Sequence, residues 1–278
     1  MTPFDRINKE LSGILPADCV PLLPKKWEKI GTVVVLTIPP ELMQYQEKIG
    51  KVYAEELGCF SALNGVGGIS GVYRLPVVKV IWGSPRTETI HTENEVRYML
   101  DPQKVMFSSG NMAERKRMGM ISNRKETVVD LFAGIGYFTI PMAVNSKPRK
   151  IVACEKNPVA FDYLCKNIVL NRVTDIVEPL QGDNREVAPK GCADRVLIGY
   201  LHETDLFLPV ALECLKNIKG VVHYHDLVSD RAIPGRAFRQ IEKTAEKYNR
   251  RATLCATKKI KSYAPGIDHV VLDVRIGE

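Results

Sequence analysis

The sequence predicts an α/β protein: a doubly wound, mostly parallel sheet whose last strand is antiparallel, preceded by a smaller N-terminal α+β domain. Three observations carry this expectation. From Val128 onward, short apolar runs alternate with helical patterns, the rhythm of strand–helix–strand units. The first junction reads DLFAGIGYF, a strand-to-helix turn bearing Gly134 and Gly136. Roughly twenty residues further on, the next apolar run ends in an acid, Glu155.

In order, GTVVVLTI (31–38) and VVKVIW (77–82) read as strands of the first domain. Between them, Leu42, Tyr45, Ile49, Val52 and Leu57 recur near helical spacing. NGVGGISG (64–71) reads as a glycine-rich loop, and no Lys-Ser or Lys-Thr follows to make it a phosphate cradle. This domain is expected over 1–88, a connecting segment containing FSSGNMAERKR over 89–125, and the larger domain over 126–278. In the latter, VVDLF, IVACE, IVEPL, RVLIGY and GVVHYH are strands. A short helix resumes in GYFTIPMAV. Asn157-Pro158 is a cap followed by proline, and Phe161, Leu164, Cys165, Ile168 and Val169 then form one helical face. Helices are also expected over 205–217 and 238–248, and a closing antiparallel pair over 253–259 and 269–276.

The 278 residues are 45% hydrophobic and 26% charged, which suffices for a sizeable core. No apolar run approaches the roughly eighteen residues that span a bilayer, and MTPFDRINKELSG lacks the apolar centre of a signal peptide. The seven cysteines form no CxxC pair. A reducing cytoplasmic location is therefore expected, with no membrane partner. The formal net charge of +7 permits a polyanionic partner without requiring one.

Two glycines alone are a weak signal, and the third glycine of a dinucleotide fingerprint is replaced by Thr139. The ordered set is more specific: Asp130, Gly134, Gly136, Glu155 in CEKNP, then Gly182-Asp183-Asn184 after a third strand. It resembles the class I S-adenosylmethionine-dependent transferases. The resemblance implies that the glycine loop passes the methionine part of S-adenosylmethionine, that Glu155 holds the ribose and that Asp183 lies near the adenine. Asp130 and Asn184 complete the cofactor-binding candidates of this domain.

The segment ahead resembles a narrower group, the archaeal and eukaryotic tRNA enzymes that modify the guanosine 3′ of the anticodon. The matching residues are His91, Glu93, Asn94, Asp101, Val105, Phe107, Ser108, Asn111, Glu114, Arg115 and Arg117, with Arg74 and Pro76 upstream. The sequence departs at Glu95, where a glycine is common, so the local turn differs. NMAERKRM is expected to form a helical turn with Glu114, Arg115 and Arg117 at its surface. Arg115 then grips the methionine carboxylate as a fork, with Ser108 also binding the cofactor. Phe107 walls the pocket, and Arg117, Arg124 and Lys125 meet phosphates of tRNA.

In the methyl-transferring branch of that group the fourth strand ends in an Asn-Leu-Pro type motif. Here the place carries Gly199-Tyr200-Leu201-His202-Glu203. Rotating the donor within the same fold presents the γ-carbon of its methionine chain instead of its methyl. The sequence is thus similar to the wybutosine-pathway tRNA aminocarboxypropyltransferases, which act on a tricyclic guanosine derivative. The competing reading is N1-methylation of guanosine on the same scaffold. A non-catalytic RNA-binding module is disfavoured by the intact cofactor set. His202 and Glu114 are the catalytic candidates. For His202 and Glu203, binding the cofactor's amino-acid end is preferred over taking the acceptor's proton, and Thr204 is expected to cap the following helix. His223, His225 and Asp226 in HYHD invite a metal, but a third ligand is not evident and this transfer requires none, so no metal is expected.

Overall fold

The computed structural model describes residues 1–71, 73, 75–201, 203–229 and 233–278, with the backbone alone at 68–70. It falls into two compact units, Met1–Ser109 and Gly110–Glu278.

The first unit opens with α1 (Pro3–Ser12), started by a capping box between Thr2 and Asp5. β1 (Glu28–Ile30) and β2 (Val33–Leu36) form a hairpin, and α2 (Gln46–Leu57) follows a 3-10 turn over Pro40–Tyr45. β3 (Ser61–Ser70) and β4 (Leu75–Gly83) complete a sheet ordered β1-β2-β3-β4 among the described residues. Ile7, Leu11, Val34, Leu36, Ile49, Tyr53 and Ala62 close its core. β5 (Thr89–Glu93) and β6 (Val96–Leu100) form a separate hairpin. Its turn residues Asn94 and Glu95 both have positive φ, 49° and 66°, so Glu95 occupies a conformation that glycine adopts without strain.

Residues 64–70 of the expected glycine-rich loop instead fall in β3. Gly65 pairs with Val78, and the register shifts between Ala62 and Leu63 and between Gly65 and Ile69. Asn64 explains why a loop-like sequence is held there: its Oδ1 accepts from the buried Ile38 N–H at 3.0 Å.

The second unit begins with α3 (Met112–Met118) and β7 (Thr127–Asp130). There follow α4 (Thr139–Asn145), β8 (Lys150–Glu155), α5 (Pro158–Leu170), β9 (Val177–Gln181) and α6 (Asn184–Val187). β10 (Arg195–Ile198), α7 (Leu208–Cys214), β11 (Gly220–Ser229) and α8 (Gly235–Lys247) lead to a long final hairpin, β12 (Arg251–Ala264) and β13 (Ile267–Gly277). Asn157 caps α5 as its sequence implies, accepting from Val159 N–H at 2.9 Å. Among the described residues seven strands form one sheet, ordered β12-β13-β11-β10-β7-β8-β9. From β11 across to β9 the strands run parallel, and β13 is antiparallel to both β11 and β12.

The two faces of this sheet differ in chemistry. One is apolar: Val196, Ile198, Val222, Tyr224, Val270, Leu272 and Val274 meet α7 and α8. The strand period of two puts Arg195, His223, His225, His269 and Asp273 on the other face. α3 and α4 lie over it: Arg117 bonds Asp273, and Phe138, at the start of α4, stacks on His225.

Asn64→Ala orphans the Ile38 amide and should lower stability by about 1–3 kcal/mol in denaturant unfolding. A change of only about a few tenths of a kcal/mol would mean β3 needs no such tie.

Candidate active site

The sheet reverses its winding between β7 and β10, the place where ligands of such folds bind outside the strand ends. Phe132 follows β7 there and Tyr200 follows β10. Their rings stack, with centroids 4.8 Å apart and planes 14° apart. Phe207 meets both edge-on, and the Arg185 guanidinium lies 5.7 Å above the Phe207 ring. Sequence reasoning missed Phe132 and Phe207 because nothing local marks two aromatics as neighbours across a switch point.

The glycine turn is built from inside. Asp130 is fully buried at the end of β7, where its carboxylate accepts from the Phe132 N–H at 3.2 Å and the Thr139 hydroxyl at 2.8 Å. Burial pushes its pKa up to about 6, against the pull of those two bonds. Thr139, in place of the third fingerprint glycine, therefore latches α4 to β7. Gly134 (φ 57°) and Gly136 (φ 97°) lie in the left-handed region. A Cβ on Gly134 would come within 2.4 Å of the Tyr137 ring, and one on Gly136 within 2.4 Å of Ile140. The protein's own side chains thus fill the room these glycines leave.

Glu155 ends β8 and accepts from Gly134 N–H at 2.7 Å and Asn157 N–H at 2.6 Å. It so ties the glycine turn to the start of α5. Burial raises its pKa although backbone N–H groups pull the other way. Asp183 caps α6 and pairs with Arg185 at 2.7 Å and Lys156 at 2.9 Å; the Arg185 bond leads in holding its carboxyl well below the usual range. Asn184 is buried, donates to Leu131 C=O at 2.8 Å and has an Oδ1 with no partner among the described residues. The structure thus gathers Asp130, Gly134, Gly136, Glu155, Asp183 and Asn184 at neighbouring strand ends.

Under α3 runs a chain of buried and half-buried charges. Arg117 grips Glu114 through Nε (2.8 Å) and Nη2 (2.6 Å), and Asp273 through Nη1 (2.6 Å) and Nη2 (3.2 Å). Asp273 also contacts His223 Nδ1 at 2.5 Å, His223 Nε2 contacts Arg195 Nη1 at 2.5 Å, and Arg195 grips Glu126 at 2.9 and 3.0 Å. Arginine only donates and carboxylate only accepts, so His223 is neutral, protonated on Nδ1 and accepting at Nε2. Its lowered pKa, caused first by burial, agrees. Burial alone would raise Asp273, but the His223 and Arg117 bonds outweigh it and hold that carboxyl low. Burial raises the Glu114 pKa, opposed by Arg117. His225 Nε2 stands 3.8 Å from Glu114 Oε1, and its Nδ1 is 3.1 Å from His269 Nε2.

Several expectations change here. Glu114 and Arg115 are each only 2% exposed, and Arg117 is tied into the sheet, so α3 does not present them at a surface. Arg117 is not a phosphate contact, whereas Arg124 and Lys125 are exposed. Thr204 does not cap the next helix; its hydroxyl donates back to Tyr200 C=O at 3.1 Å. Phe107, expected to wall the pocket, is buried against His91 and Tyr98 in the first unit. His223 and His225 are engaged with Asp273, Arg195 and His269. Ser108 is half-buried in the first unit. His202 and Arg74 lie outside the described residues.

Residues 89–253 match the TRM5/TYW2 methyltransferase domain and residues 7–87 the TYW2 N-terminal domain. The chain is 42% identical over 271 residues to the tRNA(Phe) (4-demethylwyosine(37)-C(7)) aminocarboxypropyltransferase of Pyrococcus horikoshii, covering 98% of this chain and 96% of that one. A crystal structure of P. horikoshii TYW2 in complex with MeSAdo superposes with a TM-score of 0.88 at 40% identity, over 99% of each chain. The tRNA (guanine(37)-N(1))-methyltransferase Trm5b of Pyrococcus abyssi is 35% identical over 94% of this chain and 78% of its own.

Because Asp130 is protonated more readily folded than unfolded, its contribution is full below about pH 4 and is lost as pH rises through about 6. Asp130→Asn can keep both bonds without ionising. Relative to the variant, the native protein should lose about 3 kcal/mol between those limits, measured as denaturant midpoints across that range. Parallel curves would refute it.

Proposed function

The chain belongs to the TRM5/TYW2 family, and on that premise we propose that it transfers the 3-amino-3-carboxypropyl group of S-adenosylmethionine to 4-demethylwyosine at position 37 of tRNA-Phe. The end-to-end match to the aminocarboxypropyltransferase, N-terminal domain included, carries this reading. The acceptor carbon attacks the γ-carbon of the methionine chain. The C–S bond breaks with its electron pair going to sulfur, methylthioadenosine leaves, and the acceptor carbon's proton passes to a base.

The sulfonium of the donor supplies an activated leaving group, so the protein's share is mostly placement. The residues at the strand ends suit this donor. Glu155 is held by backbone N–H groups and keeps acceptor capacity for ribose hydroxyls. Asp183 and Asn184 stand at the end of the next strand for the adenine side. Asp130 acts through the turn it braces. Arg115, Ser108 and His202 are assigned to the donor's amino-acid end, and Glu114 to the acceptor's proton. Basic, exposed Arg124 and Lys125 suit tRNA phosphates. No helix among the described residues is long and apolar enough to cross a membrane.

Methyl transfer on the same scaffold is the second reading, favoured by the likeness to Trm5b. Against it stands Tyr200. Where that branch carries its Asn-Leu-Pro type motif, this chain packs an aromatic ring on Phe132.

Incubation with S-adenosylmethionine and tRNA bearing the tricyclic base should release methylthioadenosine; S-adenosylhomocysteine would instead establish methyl transfer. Glu155→Ala should weaken methylthioadenosine binding by about 10–100-fold, from lost charge-assisted bonds. Unchanged affinity by calorimetry would remove Glu155 from the donor site.

A further inference from the structure

Helix α3 has seven residues and buries two charged side chains, Glu114 and Arg115, beside Met118. A Glu–Arg pair three residues apart on an exposed helix contributes only a few tenths of a kcal/mol. Here the Glu114–Arg117 pair is enclosed. Exchanging a buried ion pair for well-packed apolar residues is often neutral or stabilising, so stability alone does not account for it. The guanidinium uses two edges. Nε and Nη2 face the two oxygens of Glu114, while Nη1 and Nη2 face the two oxygens of Asp273. Asp273 is itself fixed from behind by His223 and, through it, by Arg195 and Glu126. Ser122, in the segment after α3, bonds Glu126 at 2.7 Å. Glu114 is therefore referenced to three adjacent strands, not merely to its own short helix.

The same carboxylate lies close to the donor turn. His225, 3.8 Å from Glu114 Oε1, stacks on Phe138 two residues beyond Gly136, with centroids 5.1 Å apart.

We propose that Arg117 is a positioning residue for the transfer: bridging Glu114 and Asp273, it aims the Glu114 carboxylate and keeps it ionised to receive the acceptor's proton. This rests on the reading of Glu114 given above. The bridge transmits orientation and charge, not protons, because neither arginine releases one and His223 is held in one tautomer. The groups that face Glu114 are Arg117 on α3, Asp273 on β13, His225 on β11 with His269 behind it, and Lys258 on β12. Of these, Arg117 and Lys258 favour the ionised form and Asp273 opposes it. Replacing Arg117 and replacing Asp273 thus push Glu114 in opposite directions, which loss of packing would not do.

The test is the pH dependence of single-turnover transfer, with donor affinity, KM for tRNA and melting temperature measured for each variant. Arg117→Lys keeps the charge but loses the double fork. Its rate should fall about 10–100-fold with KM changed less than about threefold, and its acid limb should move to higher pH. Asp273→Asn should move the acid limb to lower pH. Acid limbs that overlay the native one in both variants would overturn the proposal, as would activity lost only in step with folded protein or donor binding. Glu114→Gln is the control: native turnover there would overturn the role of Glu114 and this inference together. The nucleoside product of the native protein reports separately on which group is transferred.

Discussion

One guanidinium shared by the buried Glu114 carboxylate and the half-buried Asp273 carboxylate organises the second unit. Arg117 joins α3 to β13, and an uncharged residue in its place would leave the buried Glu114 without its cation and Asp273 with His223 alone. The alternation of donor-only and acceptor-only groups from Glu126 to Glu114 admits a single hydrogen-bonding pattern. That uniqueness gives a short helix a fixed seat, which apolar packing under seven residues would specify less sharply.

The sheet that carries this chain has two kinds of interior. Its apolar face, under α7 and α8, supplies non-directional burial. Its polar face, under α3 and α4, supplies direction, and it adjoins the turn that bears Asp130, Gly134 and Gly136. Stability and placement are thereby separated by the strand period, residue by residue: Val222 and Tyr224 serve one, His223 and His225 the other.

Much of this was legible beforehand, for physical reasons. The parallel strands, the Asn157 cap and the turn from Asp130 to Gly136 are local patterns, and local patterns survive in sequence. The family likeness singled out Glu155, Asp183 and Glu114 as candidates. What escaped was set by partners far along the chain. The β3 strand reads as a loop because its glycine-rich stretch is held by pairing with β4 on either side, at Gly65 and Ile69, and by Asn64. Arg117 reads as a surface cation because Asp273 is 156 residues away. The HYHD histidines read without partners in the sequence because Asp273, which contacts His223, is brought opposite it by β13 fifty residues on. Thr204 looks like a cap, but its hydroxyl turns back to the strand end.

The close fit between Gly134 and Tyr137 carries an evolutionary consequence. A larger residue at 134 meets the ring at 2.4 Å, in addition to the backbone strain of its left-handed φ. The two sites are therefore coupled: a side chain at 134 requires the Tyr137 ring to move or to be smaller. Substitution at either position is thus contingent on the residue already present at the other.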